Sequence, residues 1–213
     1  MIKHWSAAPQ FVHALAAVRM PNVFNPYRDI CSAHDLAKAP AIRRRNLELV
    51  LTAALSSQID SIWVAQDLGR KGGRRTGLAL TDEFHLPSTA NRWSLTGIEK
   101  ATRGPIVREA SAGYVWEALN RAKRRVFLWN IVPFHTHPAN QPLVNRSHTR
   151  EEAEVGMPFL LSLLEVLRPR CIVAVGRMAE AALERHGINS NVVRHPGRGG
   201  GSKFLREIAT LHR

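Results

Sequence analysis

Residues 171–186, CIVAVGRMAEAALERH, run from a short apolar segment through a glycine directly into a helical pattern. Similar short apolar runs occupy residues 59–64, 126–132 and 191–194, and helical stretches separate them. Buried strands that alternate with helices favour right-handed crossovers and a parallel sheet covered on both faces. The sequence therefore predicts an α/β protein, a three-layer α/β/α sandwich with a four-stranded parallel central sheet.

The spacing of apolar residues and of helix-stop signals predicts where the helices lie. Helices are expected over residues 11–19, 42–55, 107–122, 151–167, 177–186 and 203–211. Ser147 or Thr149 is expected to cap the fourth of these helices. The stretch 71–102, rich in Gly, Arg, Thr and Asp, is predicted to form long loops. No linker interrupts the pattern, so we predict a single domain over residues 1–213, with residues 1–45 as a helical N-terminal extension packed on it.

The charge of the chain is strongly basic. Among its 213 residues, 30 Lys and Arg stand against 17 Asp and Glu, which gives a formal net charge of +13, and only six of the basic residues are Lys. The planar guanidinium of arginine binds oxyanions such as phosphate through two parallel N–H groups, which lysine cannot do. The composition therefore indicates nucleic acid as the first partner class and an anionic membrane surface as the second.

Cysteine content and the length of apolar runs exclude several classes of protein. Cys31 and Cys171 are too few for a disulfide scaffold or for a four-cysteine zinc or iron–sulfur site, and they fit a reducing compartment. Gln10 and His13 interrupt the apolar start of the chain, and no apolar run approaches the roughly 18 residues of a membrane span. We expect a cytoplasmic protein that needs no metal or other cofactor and no membrane.

Three polar residues stand where predicted strands end: Asp67, Asn130 and His195. Because the carboxyl ends of parallel strands meet at one edge of a sheet, we expect their side chains to lie together. A carboxylate can position water, an amide offers a donor and an acceptor to a base edge, and a histidine can donate to a developing anion. Taken singly, each residue also fits a structural role: a turn aspartate, an amide bonded to backbone and a strand-end histidine.

These three residues lie in segments that resemble motifs of the uracil-DNA glycosylase superfamily. Residues 65–81 are similar, without a gap, to that family's water-activating motif, Gly-Gln-Asp-Pro-Tyr-His followed by Gly-Leu-x-Phe-Ser. Asn130 matches its uracil-reading Asn, and His195-Pro196 matches the His-Pro that opens its DNA-wedge loop. The order and spacing of the motifs extend the resemblance over residues 50–213.

The resemblance implies a DNA repair enzyme that flips uracil out of DNA and hydrolyses its N-glycosidic bond, leaving an abasic site. In that scheme Asp67 orients water and stabilises a sugar cation, His195 hydrogen-bonds the pyrimidine O2, and Asn130 reads O4 and N3–H. The implied base-binding residues are Gln66, Leu68, Gly69, Leu80 and Asn130, and the implied phosphate-binding or wedge residues are Arg74, Arg75, Arg198, Ser202 and Lys203. The implied partner is single- or double-stranded DNA that contains uracil or an abasic site, and the implied state is a monomer.

The sequence departs from the family pattern around the base and at the wedge. Gly69 replaces the Tyr that excludes a thymine methyl group, so we expect the pocket to admit uracils with bulkier 5-substituents. Leu80 replaces a stacking Phe, for which Phe84 or Phe134 is a candidate substitute. Arg198 stands where the family has its Leu wedge.

Two other functions stay open at the level of sequence. A DNA-binding module would capture uracil-containing or abasic DNA with little turnover, since the wedge and stacking residues are altered. Alternatively, an enzyme acting on nucleotides or other phosphorylated small molecules would use the Gly- and Arg-rich residues 70–75 as a phosphate cradle built of backbone N–H groups. These residues do not form a P-loop, because no Gly-Lys-Ser/Thr follows at the required spacing.

Overall fold

The computed structural model of the protein describes residues 7–122 and 124–211. Its helices are α1 (Ala8–Ala17), α2 (Ala39–Leu55), α3 (Gly73–Thr76), α4 (Leu86–Trp93), α5 (Ala110–Arg121), α6 (Arg150–Leu167), α7 (Arg177–Arg185) and α8 (Gly201–Leu211). Its strands are β1 (Val23–Phe24), β2 (Ser61–Asp67), β3 (Val126–Val132), β4 (His135–Thr136), β5 (Cys171–Val175) and β6 (Asn191–Val193). The predicted domain and extension also include residues 1–6, which lie outside the described residues.

Four of the strands form one parallel sheet in the order β3-β2-β5-β6. Strands β2 and β3 are largely aliphatic and aromatic and almost entirely buried, as expected of a parallel sheet covered on both sides. Residues of α1, α2, α6 and α7 pack on one face, and residues of α5 and α8 pack on the other. The predicted three-layer α/β/α sandwich is therefore confirmed.

The N-terminal segment is attached to the rest of the protein at three places. Apolar residues of α1 belong to the same core as those of α2. β1 pairs antiparallel with β4, so that Phe24 lies opposite His135. The buried hydroxyl of Tyr27 donates to the carbonyl of Gly77 at 2.9 Å. The predicted helical extension thus contains a strand as well, and it contacts the turn that follows α3.

Residues 71–102 hold more regular structure than the sequence predicts, namely α3, a 3-10 turn at Glu83–His85 and α4. Pro87 in the first turn of α4 and the left-handed Ser94 at its end (φ 53°) delimit a helix of eight residues. A helix this short completes too few turns for apolar periodicity to be visible in the sequence. Within the described part of the chain, no helix is both long and apolar enough to cross a membrane.

Candidate active site

Asp67 and Asn130 meet at the carboxyl edge of the sheet, on the face that α5 and α8 cover. The register pairs Asn130 with Ala65, and both Ala65 and Leu128 pack in the apolar cluster of that face. Because side chains alternate along a strand, Asp67 and Asn130 point to the same side. The Nδ2 atom of Asn130 donates to the backbone carbonyl of Asp67 at 3.0 Å. The structure thus brings these two predicted residues together.

Two buried oxygen atoms of this pair have no hydrogen-bond partner among residues 7–122 and 124–211: Oδ1 of Asn130 and Oδ2 of Asp67. Asn130 is only 1% exposed, and a buried acceptor left unpaired costs about 1–3 kcal/mol. An amide also carries two N–H donors, of which one is used here. The pair therefore offers a ligand one donor and two acceptors that the protein does not satisfy.

The other oxygen of the Asp67 carboxyl group, Oδ1, accepts a hydrogen bond from Nδ1 of His148. Both side chains are buried, with 5% of Asp67 and 2% of His148 exposed. His148 directly precedes Thr149, which caps α6 in a reciprocal capping box with Glu152, as one of the two predicted caps. The start of α6 thereby fixes His148 against Asp67. Sequence reasoning gave His148 no role at Asp67, since it lies in a loop far along the chain.

Burial raises the pKa of Asp67 above its ordinary value, and hydrogen bonds from the side chain and backbone of His148 oppose this rise. A carboxyl group with a raised pKa takes up a proton earlier as the pH falls. His148 therefore extends the pH range over which Asp67 is ionised.

The loop after Asp67 is held from two sides. The N–H of Leu68 donates to the carbonyl of Phe134 at 3.0 Å, and the carbonyl of Leu68 accepts from Nδ1 of His135 at 2.9 Å. Burial lowers the pKa of His135 to about 4, so its ring is neutral at physiological pH. On the other side, the N–H of Arg70 donates to Oδ1 of Asn145 at 2.9 Å. These bonds fix the direction in which the end of β2 presents Asp67.

His195 follows β6 at the same edge of the sheet, two strands away from Asp67. Its Nδ1 accepts from the N–H of Gly197 at 3.0 Å, so a neutral ring carries its proton on Nε2. Burial and the neighbouring Arg194 lower the pKa of His195, which keeps the ring neutral at pH 7. No residue in the described ranges engages Nε2 in a hydrogen bond. His195 therefore presents one free N–H donor.

An open cavity of about 510 Å³ adjoins His195 at this edge. Gln66, Gly176 and Lys203 also line the cavity. Because Gln66 immediately precedes Asp67, the cavity extends from the His195 side of the sheet edge to the end of β2. The predicted residues thus lie along one edge, Asp67 with Asn130 and His195 with Gln66.

Arg74 and Arg75 do not face solvent, and their predicted contact with phosphate is wrong. They are 1% and 8% exposed, because the Gly- and Arg-rich stretch forms the short helix α3 with both side chains turned inward. The guanidinium of Arg74 lies 3.9 Å from the ring centre of Phe24. The guanidinium of Arg75 donates to Glu83 and to Thr102, each at 3.0 Å. Both arginines therefore stabilise the fold.

Two apolar candidates for the base pocket, Leu68 and Phe134, are buried in the protein. Leu68 uses both of its backbone polar groups within the protein, and its buried side chain packs against Gly73. Phe134 is fully buried in the cluster on the opposite face of the sheet, so it cannot stack on a base at Asn130. Phe134 therefore does not take the place of the stacking Phe, while the role of Leu68 toward a base stays a prediction. The ring of Phe84 is partly exposed and lies 3.3 Å below the guanidinium of Arg108.

Of the other predicted residues, Leu80 is buried, whereas Arg198, Ser202 and Lys203 are exposed. Leu80 packs in the apolar cluster on the Asn130 face and adopts a left-handed backbone (φ 51°). Arg198, Ser202 and Lys203 are exposed in the loop after His195 and in the first turn of α8. Their roles toward DNA stay predictions.

The space beside Gly69, predicted to be open, is occupied by the side chain of Glu109. A Cβ atom built on Gly69 or on Gly72 would overlap the Glu109 carboxyl group. Glu109 is the residue directly before α5 and makes no side-chain capping bond, and its N–H donates to Oδ2 of Asp82 at 2.6 Å. α5 therefore begins at residue 110, later than predicted. Sequence reasoning missed Glu109 because it took this residue for part of a helix.

This structure defines a class: three-layer α/β/α proteins with a polar site at the carboxyl edge of a parallel sheet. Comparison with protein families matches residues 56–211 to the Uracil DNA glycosylase superfamily. The chain belongs to this superfamily, and the resemblance seen in its motifs is confirmed.

Comparison with solved structures identifies a similar fold in wild-type SMUG2 of Pedobacter heparinus, known from its crystal structure. The two chains are 14% identical, with a TM-score of 0.63 over 97% of each chain. At this identity the similarity concerns the fold. Comparison with curated proteins finds no significant match.

Proposed function

We propose that the protein is a DNA glycosylase that removes uracil from DNA by hydrolysing the N-glycosidic bond. The observation that carries this proposal is the buried amide of Asn130, with its unpaired Oδ1 and its second N–H. Uracil presents an N3–H beside the carbonyl O4, which complements this amide. Cytosine presents an unprotonated N3 beside an amino group and does not complement it.

The geometry supports a mechanism in which charge separates along the breaking bond. When the N1–C1′ bond breaks, its electron pair leaves with the base and the sugar becomes cationic. The unpaired Oδ2 of Asp67 stabilises this cation and accepts a proton from the water that adds to C1′. The free Nε2–H of His195 donates to a carbonyl oxygen on which the negative charge of the base collects. The base leaves as an anion and then takes a proton from solvent.

The proposed DNA-binding surface consists of exposed basic residues at the same edge of the sheet. They are Arg70, Lys71, Arg194, Arg198 and Lys203. Arg198, with a left-handed backbone (φ 51°), lies in the loop after His195, where an inserted side chain would fill the gap left by a flipped nucleotide. The burial of Arg74 and Arg75 moves the proposed phosphate contacts from α3 to this exposed set.

Binding to a uracil-containing oligonucleotide is expected to weaken steeply with salt. Three to five phosphate contacts give a slope of log K against log salt of about −3 to −4.5. Arg198→Ala should reduce the size of this slope by about 1. Arg121→Ala, at an exposed position at the far end of α5, is the matched control and should leave the slope unchanged. Fluorescence anisotropy of a labelled oligonucleotide, titrated at several salt concentrations from low to physiological, measures this slope for each protein. A flat dependence would favour an enzyme of small phosphorylated molecules.

The pH dependence of excision is expected to reflect the bond between His148 and Asp67. His148→Phe removes the donor, so the pKa of Asp67 should rise further and the acid limb of the rate profile should move to higher pH. His148→Asn keeps an N–H donor near the position of Nδ1 and should move the limb less. Single-turnover rates over acid to neutral pH measure both variants. An acid limb that stays in place in His148→Phe would mean that this bond does not set the ionisation of Asp67.

The experiment that tests the proposed function is a multiple-turnover assay on an oligonucleotide with one uracil, followed by alkaline cleavage at abasic sites. We expect more product than enzyme, and no product from matched oligonucleotides that carry cytosine or thymine instead. A burst of one equivalent without turnover would identify a DNA-binding module. The absence of any product would overturn the proposal.

A further inference from the structure

Glu109 places a further polar side chain beside the loop that follows Asp67, and the mechanism above leaves it unused. Its carboxyl group lies over two glycines of the loop after Asp67, Gly69 and Gly72, where any Cβ would overlap it. Glu109 directly precedes α5, and α5 covers the sheet face on which Asn130 lies. The carboxyl group therefore lies between the loop that follows Asp67 and the start of α5.

The backbone of Glu109 is hydrogen-bonded to Asp82, and polar and charged groups surround its carboxyl group. Asp82, which is fully buried, accepts the backbone N–H of Glu109. Ser111 of α5 and Lys71 and Arg70 of the loop lie close enough to the Glu109 side chain to affect its protonation. Burial and the charge of Asp82 raise the pKa of Glu109 to about 7, while Ser111 and the two cations act in the opposite direction. Both the acid and the carboxylate are therefore populated near neutral pH.

We propose that Glu109 is a catalytic residue of the base pocket, whose protonated carboxyl group donates a hydrogen bond to a carbonyl oxygen of the departing uracil. This inference rests on the proposed function. The electron pair of the broken N1–C1′ bond spreads over the carbonyl oxygens of the base, and a neutral acid stabilises that charge without transferring its proton. The ionised carboxylate faces the anion and repels it. The ligand class is a base that leaves as an anion through its keto oxygens.

If the protonated Glu109 donates to the base, the profile of excision rate against pH has a basic limb set by Glu109 as well as the acid limb set by Asp67. In the wild-type protein, excision at pH 9 should be at least about tenfold slower than at pH 7, because Glu109 loses its proton in this range. Glu109→Gln keeps the shape and an N–H donor but cannot ionise, so its rate should change less than about twofold over the same range. Glu117→Gln, a change to an exposed residue of the same helix, is the matched control and should keep the wild-type profile.

Two measurements separate this proposal from the proposed function. The first is the single-turnover rate of uracil excision from pH 6 to 9 in the three proteins, with thermal unfolding as a check that each is folded. A basic limb of the same depth in Glu109→Gln would overturn the role of Glu109. The second is the anisotropy of an oligonucleotide that carries a non-cleavable 2′-fluoro-deoxyuridine.

The second measurement does not need turnover. Wild-type binding to the non-cleavable oligonucleotide should weaken severalfold between pH 6 and 9, and binding by Glu109→Gln should not. If no protein excises uracil at any pH, the proposed function fails while this comparison still decides whether Glu109 contacts the base. An equal change in both proteins would overturn the proposal.

Discussion

Asp67→Asn is expected to slow uracil excision at least about 10²-fold, the scale on which a positioned base or electrostatic group acts. The reason lies in the two oxygens of the carboxyl group. Oδ1 is bound to His148, and an asparagine oxygen can accept the same bond. The unpaired Oδ2 would become the NH₂ of a neutral amide, which turns partially positive hydrogens instead of a negative charge toward the sugar cation. The substitution therefore removes the negative charge and the proton acceptor but keeps the size of the side chain and its bond to His148.

Three measurements distinguish this expectation from simple damage to the fold. Single-turnover rates give the loss of excision, anisotropy gives the affinity for uracil-containing DNA, and thermal unfolding gives the stability. In Asp67→Asn only the excision rate should change strongly, while the affinity for DNA and the thermal stability should stay close to those of the wild type. Near-normal excision by Asp67→Asn would remove Asp67 from the mechanism.

His195→Ala is expected to cause a comparable loss of about 10²–10³-fold, as the removal of a donor to a developing anion does in other enzymes. The ring is neutral and its proton lies on Nε2, because Nδ1 accepts the N–H of Gly197. His195→Gln can offer an amide N–H from a similar distance and should recover part of the loss.

The control for His195 is the pH profile. Because Asp67 sets the acid limb, its position should be the same in His195→Ala and in the wild type, although the rate is lower throughout. If His195→Ala excised uracil at the wild-type rate, the anion would have to be stabilised by other donors at this edge, and Glu109 would be the first to test.

The sheet and part of the site were predictable because they depend on local signals. The buried runs are short, apolar and bounded by turn residues, so the strands and their parallel order follow from pattern and connection rules. Asp67 and Asn130 interrupt or end such runs, and polar residues there are visible without any knowledge of contacts. The register then places Asn130 beside Ala65, and its amide reaches the backbone of Asp67.

The remaining parts of the site depend on contacts between distant segments. Whether Arg74 and Arg75 point outward is decided by Phe24, Glu83 and Thr102, which lie in other segments of the chain. The filling of the space at Gly69 by Glu109 is a contact of the same kind. Composition and periodicity carry no information on such pairs. They therefore predict an exposed basic stretch at Arg74 and Arg75 and open space beside Gly69, neither of which the structure has.

His135 has a consequence for the order in which the protein comes apart. Its backbone pairs with Phe24 in the two-residue ribbon of β1 and β4, and its ring holds the carbonyl of Leu68. Such a short ribbon has few hydrogen bonds and opens at lower free energy than the central sheet. Once this ribbon opens, the loop after Asp67 loses the hydrogen bond from His135 to Leu68 while the central sheet is still folded. Loss of activity on heating should therefore precede unfolding of the central sheet, because the pairing of β1 with β4 keeps the end of β2 in position.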